Sequence, residues 1–271
     1  MSELSGQVCI LTGATGGIGA VMAQRLSAAG VRLVLASRSA EPLSALAASL
    51  PTESLSVPTD VTDPVALAAL VEAAVSRWGR IDILINNAGI ETFEHFHEGD
   101  PESISLAVAV NLTGPLRLCR LVIPHMLSAG GGRIVNVASV AGLAGVPHGV
   151  VYAATKAGLI AASRSLRLEY AAQNISVTAL CPGFTHGGGM HERHKQEAGR
   201  APVLMGSTTV DAVAEATLRV LRRGQALSVV NSMPMGGLRV IDALSPAAAD
   251  ALVDRISGPY MRQLAEARRD S

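Results

Sequence analysis

The chain has 271 residues, of which 49% are hydrophobic, 3% aromatic and 16% charged, and its 22 basic and 22 acidic side chains cancel. A balanced charge with no block of basic residues excludes an electrostatic nucleic-acid binder and a binder of anionic membranes. So aliphatic a composition fits helices packed closely on a parallel sheet, at a length that suits one large α/β domain.

The start, Met1-Ser2-Glu3-Leu4-Ser5-Gly6, lacks the basic region and apolar run of a secretory signal. No uninterrupted apolar run approaches the roughly 20 residues that span a bilayer, so no membrane insertion is expected. Cys9, Cys119 and Cys181 are odd in number, sit in apolar surroundings and lack metal-ligand spacing. They read as buried free thiols of a reducing compartment, and the expected location is cytoplasmic.

Val8-Cys9-Ile10-Leu11 reads as a buried strand. It enters Thr12-Gly13-Ala14-Thr15-Gly16-Gly17-Ile18-Gly19 and then helical sequence from Ala20 to Ala29, ended by Gly30. Strand, glycine-rich turn and helix is the context a dinucleotide site needs. Glycines let the backbone approach a pyrophosphate, and the helix start offers unpaired N–H groups and a positive dipole end. The spacing reads as G-x-x-x-G-x-G (Gly13, Gly17, Gly19) and equally as G-x-x-G-x-x-G (Gly13, Gly16, Gly19), not as the common G-x-G-x-x-G. The second strand, Arg32 to Ser37, ends in Ser37-Arg38-Ser39 with no carboxylate for a ribose 2′-hydroxyl. A planar guanidinium between two hydroxyls suits a 2′-phosphate, so NADP(H) is expected ahead of NAD(H).

Glu41 to Leu50 reads as a helix and Leu55 to Val57 as a short strand. In Thr59-Asp60-Val61-Thr62-Asp63-Pro64, Asp63 reads as a helix cap with Pro at the first position, and the helix runs to about Trp78. Asp60 is either a contact for an adenine amino group or a turn aspartate. The strand Ile81 to Ile85 ends in Asn86-Asn87-Ala88-Gly89, at the strand end where open α/β sheets bind ligands. Helical sequence follows from Pro101 to Leu127, bent near Pro115 and Pro124, with Asn111 inside it as a polar group that needs a partner.

Arg133 to Ser139 is the next strand and leaves Ser139 at its carboxyl end. The loop to Val151 carries His148, the best candidate for a polar substrate contact. The helix from Val151 to about Ala172 puts Tyr152 and Lys156 one turn apart on one face. A free phenol has a pKa of about 10 and is a poor acid or base at neutrality. A fixed ammonium nearby is expected to draw it down, so that it exchanges a proton with an alcohol or a developing alkoxide, while Ser139 hydrogen-bonds the same oxygen.

Ile175 to Leu180 is the sixth strand, ending in Cys181-Pro182-Gly183. The polar, glycine-rich stretch that follows Phe184 is long for a connection and reads as a lid or binding loop. His186, His191 and His194 within it read as solvated or substrate-facing rather than as a metal site. Asp211 to Arg223 is a helix, Ala226 to Asn231 a seventh strand, and Pro246 to about Ala267 a helical tail. Strands and helices alternate from residue 8 to residue 231. The fold expected is a single α/β domain over 1–271 with a doubly wound, seven-stranded parallel sheet: core 5–231, substrate loop about 184–205, C-terminal helical extension 232–271.

Taken together, Thr12 to Gly19, Asp60-Val61, Asn86-Asn87-Ala88-Gly89, Asn111, Ser139, Tyr152-x-x-x-Lys156 and Pro182-Gly183 resemble, in this order, the motifs of the short-chain dehydrogenase/reductase family. The resemblance covers residues 5 to about 231. It implies a Rossmann-type fold and a catalytic set of Asn111, Ser139, Tyr152 and Lys156. Tyr152 would be the general acid/base, Ser139 would polarise the carbonyl, Lys156 would hold the nicotinamide ribose, and Asn111 would hold a water of a proton relay. Cofactor contacts implied are Gly13, Thr15, Gly16, Gly17, Ile18, Gly19, Ser37, Arg38, Asp60, Val61, Asn87, Ala88, Gly89, Tyr152, Lys156, Pro182, Gly183 and Thr185. The chain departs from the family in placing Thr185 early after Pro182-Gly183, and in lacking the Asp-Gly-Gly-type ending of acyl-carrier-protein reductases. The resemblance also implies a homodimer or homotetramer assembled through the helical stretches 101–127 and 151–172.

The function expected is interconversion of a ketone or aldehyde with an alcohol. The substrate pocket, with Ser139, His148, Tyr152 and Phe184 as contacts, has apolar residues in its loops (Leu143, Val146, Phe184, Met190), which favours a lipophilic substrate. Two alternatives compete. A nucleotide-sugar epimerase or dehydratase of the family's longer branch is disfavoured by chain length and by Asn86-Asn87-Ala88-Gly89. A non-catalytic NADP-binding redox sensor is disfavoured by the intact Ser139, Tyr152 and Lys156.

Overall fold

The computed structural model describes residues 4–188 and 196–269. His191, His194 and Met190 lie outside the described residues. Seven strands form one parallel sheet: β1 (Val8–Thr12), β2 (Arg32–Ser37), β3 (Ser54–Pro58), β4 (Ile83–Asn86), β5 (Gly132–Val137), β6 (Ile175–Pro182) and β9 (Leu227–Val230), in the order β3-β2-β1-β4-β5-β6-β9. The order reverses between β1 and β4, so the first strand pairs on both sides, with Cys9 opposite Leu33 and opposite Ile83. Every residue of β1 and β4 is buried, as expected for central strands covered on both faces.

The faces are covered by α1 (Gly17–Ala28), α2 (Ala40–Ser49), α3 (Pro64–Trp78), α4 (Pro101–Val108), α5 (Gly114–Ser128), α6 (Val150–Tyr170) and α7 (Val210–Arg223). Alternate strand residues feed two cores. Cys9, Leu11, Leu33 and Leu35 pack with α1 and α7, while Val8, Ile10, Val34 and Leu84 pack with α3 and α5. Asp63 caps α3 as its position before Pro64 implies, its Oδ1 accepting from Val65 N at 2.8 Å.

Three features differ from the sequence expectation. The irregularity between α4 and α5 is a π turn, Ala109–Thr113, just ahead of Pro115, and Pro124 lies inside α5 without interrupting it. The wide turn is held by Asn111, whose side chain bonds outside its own helix. The stretch after β6 holds two short strands, β7 (Phe184–His186) and β8 (Ser207–Thr209), paired in parallel. The C-terminal tail contains two helices, α8 (Gly236–Leu244) and α9 (Pro246–Arg269), where one was expected.

The stretch Pro101–Ser128 is long and apolar enough to cross a membrane by length and composition. Here it is a core element, half of its most apolar window being buried and α5 packing against α3.

Candidate active site

The end of β1 and the end of β4 are locked together before any ligand is considered. Thr12 Oγ1 accepts from the backbone N–H of Asn87 (3.0 Å) and Ala88 (3.1 Å). Asn87 Nδ2 donates back to Thr12 O (3.1 Å) and Gly13 O (3.0 Å). The glycines permit this closeness. Gly13 has φ +63°, and a Cβ on it would sit 2.8 Å from Ala88 Cα. A Cβ on Gly19 would run into the Gly13 carbonyl oxygen. The N-cap of α1, Gly16, makes no side-chain cap, so the N–H groups of the first helical turn are left for an anion. Thr15, Gly16, Gly17, Ile18 and Gly19 all line one cavity of about 820 Å³. Gly188 crosses over this turn, where a Cβ would lie 3.1 Å from Gly17 Cα.

Ser37, Arg38, Asp60 and Val61 line the same cavity beside the glycine-rich turn. Arg38 is exposed there. Asp60 Oδ1 accepts from Thr62 N and Thr62 Oγ1, each at 2.8 Å. Those bonds, with the nearby Arg38 charge as a smaller contribution, hold its carboxyl below the usual range. One Asp60 oxygen is thus committed to its own turn, which is the structural alternative raised by the sequence.

Ser139, Tyr152 and Lys156 meet at the far wall of the cavity, with Gly89, Ala88, Pro182, Gly183 and Thr185. Ser139 lies two residues past β5, and its Oγ accepts from Ala141 N at 3.1 Å, capping a short 3-10 turn that fixes it. Lys156 is buried and donates from Nζ to Val137 O at 2.9 Å. Its Nζ lies 5.7 Å from the centre of the Tyr152 ring. Burial dominates both groups. It pushes the Tyr152 phenol up to about 12, against an opposing hydrogen bond from Ser139, and it pulls the Lys156 ammonium down to about 8. The expected lowering of the phenol by Lys156 is not found; Ser139 is what opposes the burial. The reason is geometric: the ammonium sits over the ring and gives its hydrogen bond to a carbonyl.

Asn111 is 1% exposed and lies behind this wall. It accepts from Ile90 N (2.9 Å) and donates to Ile90 O (2.8 Å) and Thr155 Oγ1 (3.3 Å). The amide holds the Gly89–Ile90 bend, and a Cβ on Gly89 would lie 3.2 Å from its Oδ1 and 3.4 Å from Lys156 Nζ.

A family model described as short chain dehydrogenase matches residues 7–198. The chain belongs to the short-chain dehydrogenase family. It is an oxidoreductase acting on alcohol and carbonyl groups. It is 35% identical over 241 residues to the ketoacyl reductase HetN of Nostoc sp., covering 87% of this chain and 82% of that protein. It is 37% identical over 185 residues to the 3-oxoacyl-[acyl-carrier-protein] reductase FabG of Thermotoga maritima, covering 67% of this chain and 75% of that one. Among solved structures, NAD+-bound xylitol dehydrogenase superposes with a TM-score of 0.77 at 28% identity, covering 85% of this chain and 99% of that one. The 3-ketoacyl-(acyl-carrier-protein) reductase of Brucella melitensis complexed with NADH gives 0.76 at 29%, covering 84% and 98%.

Within this dehydrogenase, three residues are placed differently from expectation or were overlooked. His148 is absent from the cavity lining; it holds a φ of +60°, its ring meets that of His95 edge-on at 4.8 Å, and its carbonyl accepts from Glu94 N. Asn86 faces the core, donating to Asn136 Oδ1 at 2.8 Å, and Asn136 donates to Ser163 Oγ at 2.9 Å. Glu91, unremarked in the sequence, lines the cavity and pairs with Arg268. Phe184 lines the cavity and meets Tyr260 edge-on at 6.0 Å. The three cysteines are buried, and burial pushes each thiol up, Cys119 and Cys181 to about 12. Among the described residues no cluster of metal-ligating side chains occurs.

Proposed function

We propose that this dehydrogenase interconverts a lipophilic ketone or aldehyde and its alcohol with NADP(H), using Tyr152 as the general acid/base. The observation that carries the reading is one continuous cavity. It has the uncapped start of α1 and Arg38 at one end and Ser139, Tyr152 and Lys156 at the other. The site fits a nicotinamide dinucleotide: a glycine-rich turn and free helical N–H groups for the pyrophosphate, and an exposed guanidinium for a 2′-phosphate, with Asp60 nearby but bonded to Thr62. Two solved relatives are bound to NAD+ or NADH, which supports the cofactor class. Arg38 favours the phosphorylated form, with NAD(H) second.

Bound there, the cofactor supplies or receives the hydride. Tyr152 gives its phenolic proton to the carbonyl oxygen in reduction and takes it back in oxidation. Ser139 Oγ–H donates to the same oxygen and polarises it. Lys156 holds ribose hydroxyls and offers a buried charge as proton density shifts at the phenol. Asn111 keeps Gly89 and Ile90 in place beside Lys156, with the family's water relay as its further role. Thr185, 8% exposed, lines the nicotinamide end, its hydroxyl donating to Gly183 O at 2.9 Å. A phenol kept protonated by burial suits the reductive direction at neutral pH. Buried thiols suit the cytoplasm. The exposed apolar residues Ile104, Leu106 and Val108 of α4 with Val150 and Leu168 of α6 suit a homodimer or homotetramer, read by light scattering.

The test is side-by-side fluorescence titration with NADPH and NADH, on the native protein and on Arg38→Ala. NADPH preference that falls in the variant supports the reading. NADH preference reverses the Arg38 argument, and binding of neither overturns the whole.

A further inference from the structure

The family match ends at residue 198, yet the cavity continues into the chain beyond it. Leu238 of α8 and Leu252, Val253, Ile256 and Met261 of α9 line its substrate end. The α9 positions recur at helical spacing, from Leu252, which is 38% exposed, to the buried Met261, while Asp250, Asp254 and Arg255 are exposed. None of the described tail residues that line the cavity is charged. The same face continues into an apolar cluster of Tyr260, Met261 and Leu264 with Phe93, against which Tyr152 and Phe184 pack. The wall therefore reaches from the cavity mouth to the ring of the catalytic phenol.

The end of α9 is fastened to the active-site segment. Arg268 Nη2 reaches Glu91 Oε1 at 2.7 Å and its Nε reaches Glu197 Oε2 at 3.0 Å. Its guanidinium lies 5.8 Å over the Phe93 ring, and that ring is 5.5 Å from Tyr152. Arg269 adds a contact to Glu98 at 3.2 Å. A partly buried ion pair of this kind contributes more to fixed geometry than to stability. Among the described residues Glu91 is the one carboxylate at this end of the lining, and Arg268 offsets its charge beside the apolar wall.

We propose that α9 is this chain's substrate-selecting wall, taking an uncharged hydrocarbon arm whose carbonyl end lies at Ser139 and Tyr152, with Arg268 as the residue that positions it. This rests on the carbonyl reading above. The substrate class that follows is a ketone or its alcohol bearing a medium-length alkyl chain or an apolar ring system, with no charge along that arm.

The test is calorimetric binding of straight-chain methyl ketones, from butanone to undecanone, to the full chain alone and with NADP+. Each added methylene is expected to tighten binding by roughly fourfold until the arm is filled. Ile256→Asp and Leu252→Asp, checked for a cooperative melt, are expected to weaken undecanone by about tenfold or more and to flatten the series. Ile256→Met should restore the slope. Arg268→Met should weaken the long ketones several-fold more than butanone. Affinity that does not depend on chain length, or a slope that survives both Asp variants, overturns the proposal. Heats of binding do not require turnover, so the proposal stands or falls separately from the carbonyl chemistry. Turnover retained by Tyr152→Phe would sink that chemistry alone.

Discussion

The two ends of the cavity are built from opposite electrostatic materials. At the end under Arg38 the charges stand in water: Arg38 is exposed and Asp60 is satisfied by Thr62. At the end under Tyr152 the ionisable groups are stripped of water, and burial drives phenol and ammonium toward their neutral forms. An exposed cation is a standing anchor whose contribution is set by what binds it. A buried ammonium such as that of Lys156 costs stability at rest, and the proposed proton transfer would give that cost a use.

The largest effect should come from the buried end. Tyr152→Phe removes the exchangeable proton and is expected to lower turnover by about 10²–10⁴-fold while leaving NADPH titration unchanged, which separates an enzyme from a sensor that only binds. The native enzyme's alcohol oxidation should climb with pH well above neutrality, because the base form of a phenol near 12 is scarce below it; reduction should hold level across neutral pH. An oxidation profile already flat at neutrality would contradict the burial argument.

At the exposed end Arg38→Ala should weaken NADPH by about 10–100-fold and NADH by little, the loss of a charge-assisted contact to a phosphate. Equal losses for both would mean that Arg38 only braces the turn.

Lys156→Met tests the cost of burial in the protein without substrate. The ammonium's folded value, about 8, lies below the ordinary 10.5. The unfolded chain therefore holds more protons between those values, and stability should rise with pH across that window. Below 8 the cost is fully in place. Near neutrality the variant should be more stable than the parent by about 1 kcal/mol, the relieved burial being partly offset by the unpaired Val137 carbonyl. Thermal melts of both proteins from pH 7 to 10.5 should show that difference shrink.

The smallest effect should be at His148. Its side chain is turned to His95, away from the cavity. His148→Asn, which keeps a residue tolerant of φ +60°, should change kcat/KM by no more than about twofold.

Which parts were legible follows from the range of the physics involved. The glycine-rich turn, the Asp63–Pro64 cap and the Tyr152–Lys156 spacing depend on neighbours within a few residues, and all three are found at the expected places in the fold. Of the pair Asn86 and Asn87, the family resemblance implied Asn87 as the cofactor contact, while adjacent polar residues at one strand end do not by themselves say which faces the core. The pleat sends Asn86 to Asn136 in the core, while Asn87 braces the Gly13 turn. The side-chain direction of His148 was not legible because it sits in a loop, where its φ of +60° and its contact with His95 are set by the surrounding fold.

By itself the sequence determined the alternation of strands and helices, the strand ends that carry chemistry, and the family, because periodicity and backbone geometry are local. Only the tertiary structure decided that α9 lines the cavity. That outcome rests on Arg268 meeting Glu91 from the far end of the chain and on an apolar face finding Phe93 and Tyr152. It also decided the protonation bias at Tyr152 and Lys156, since desolvation depends on everything packed around a group and spacing measures only what lies beside it.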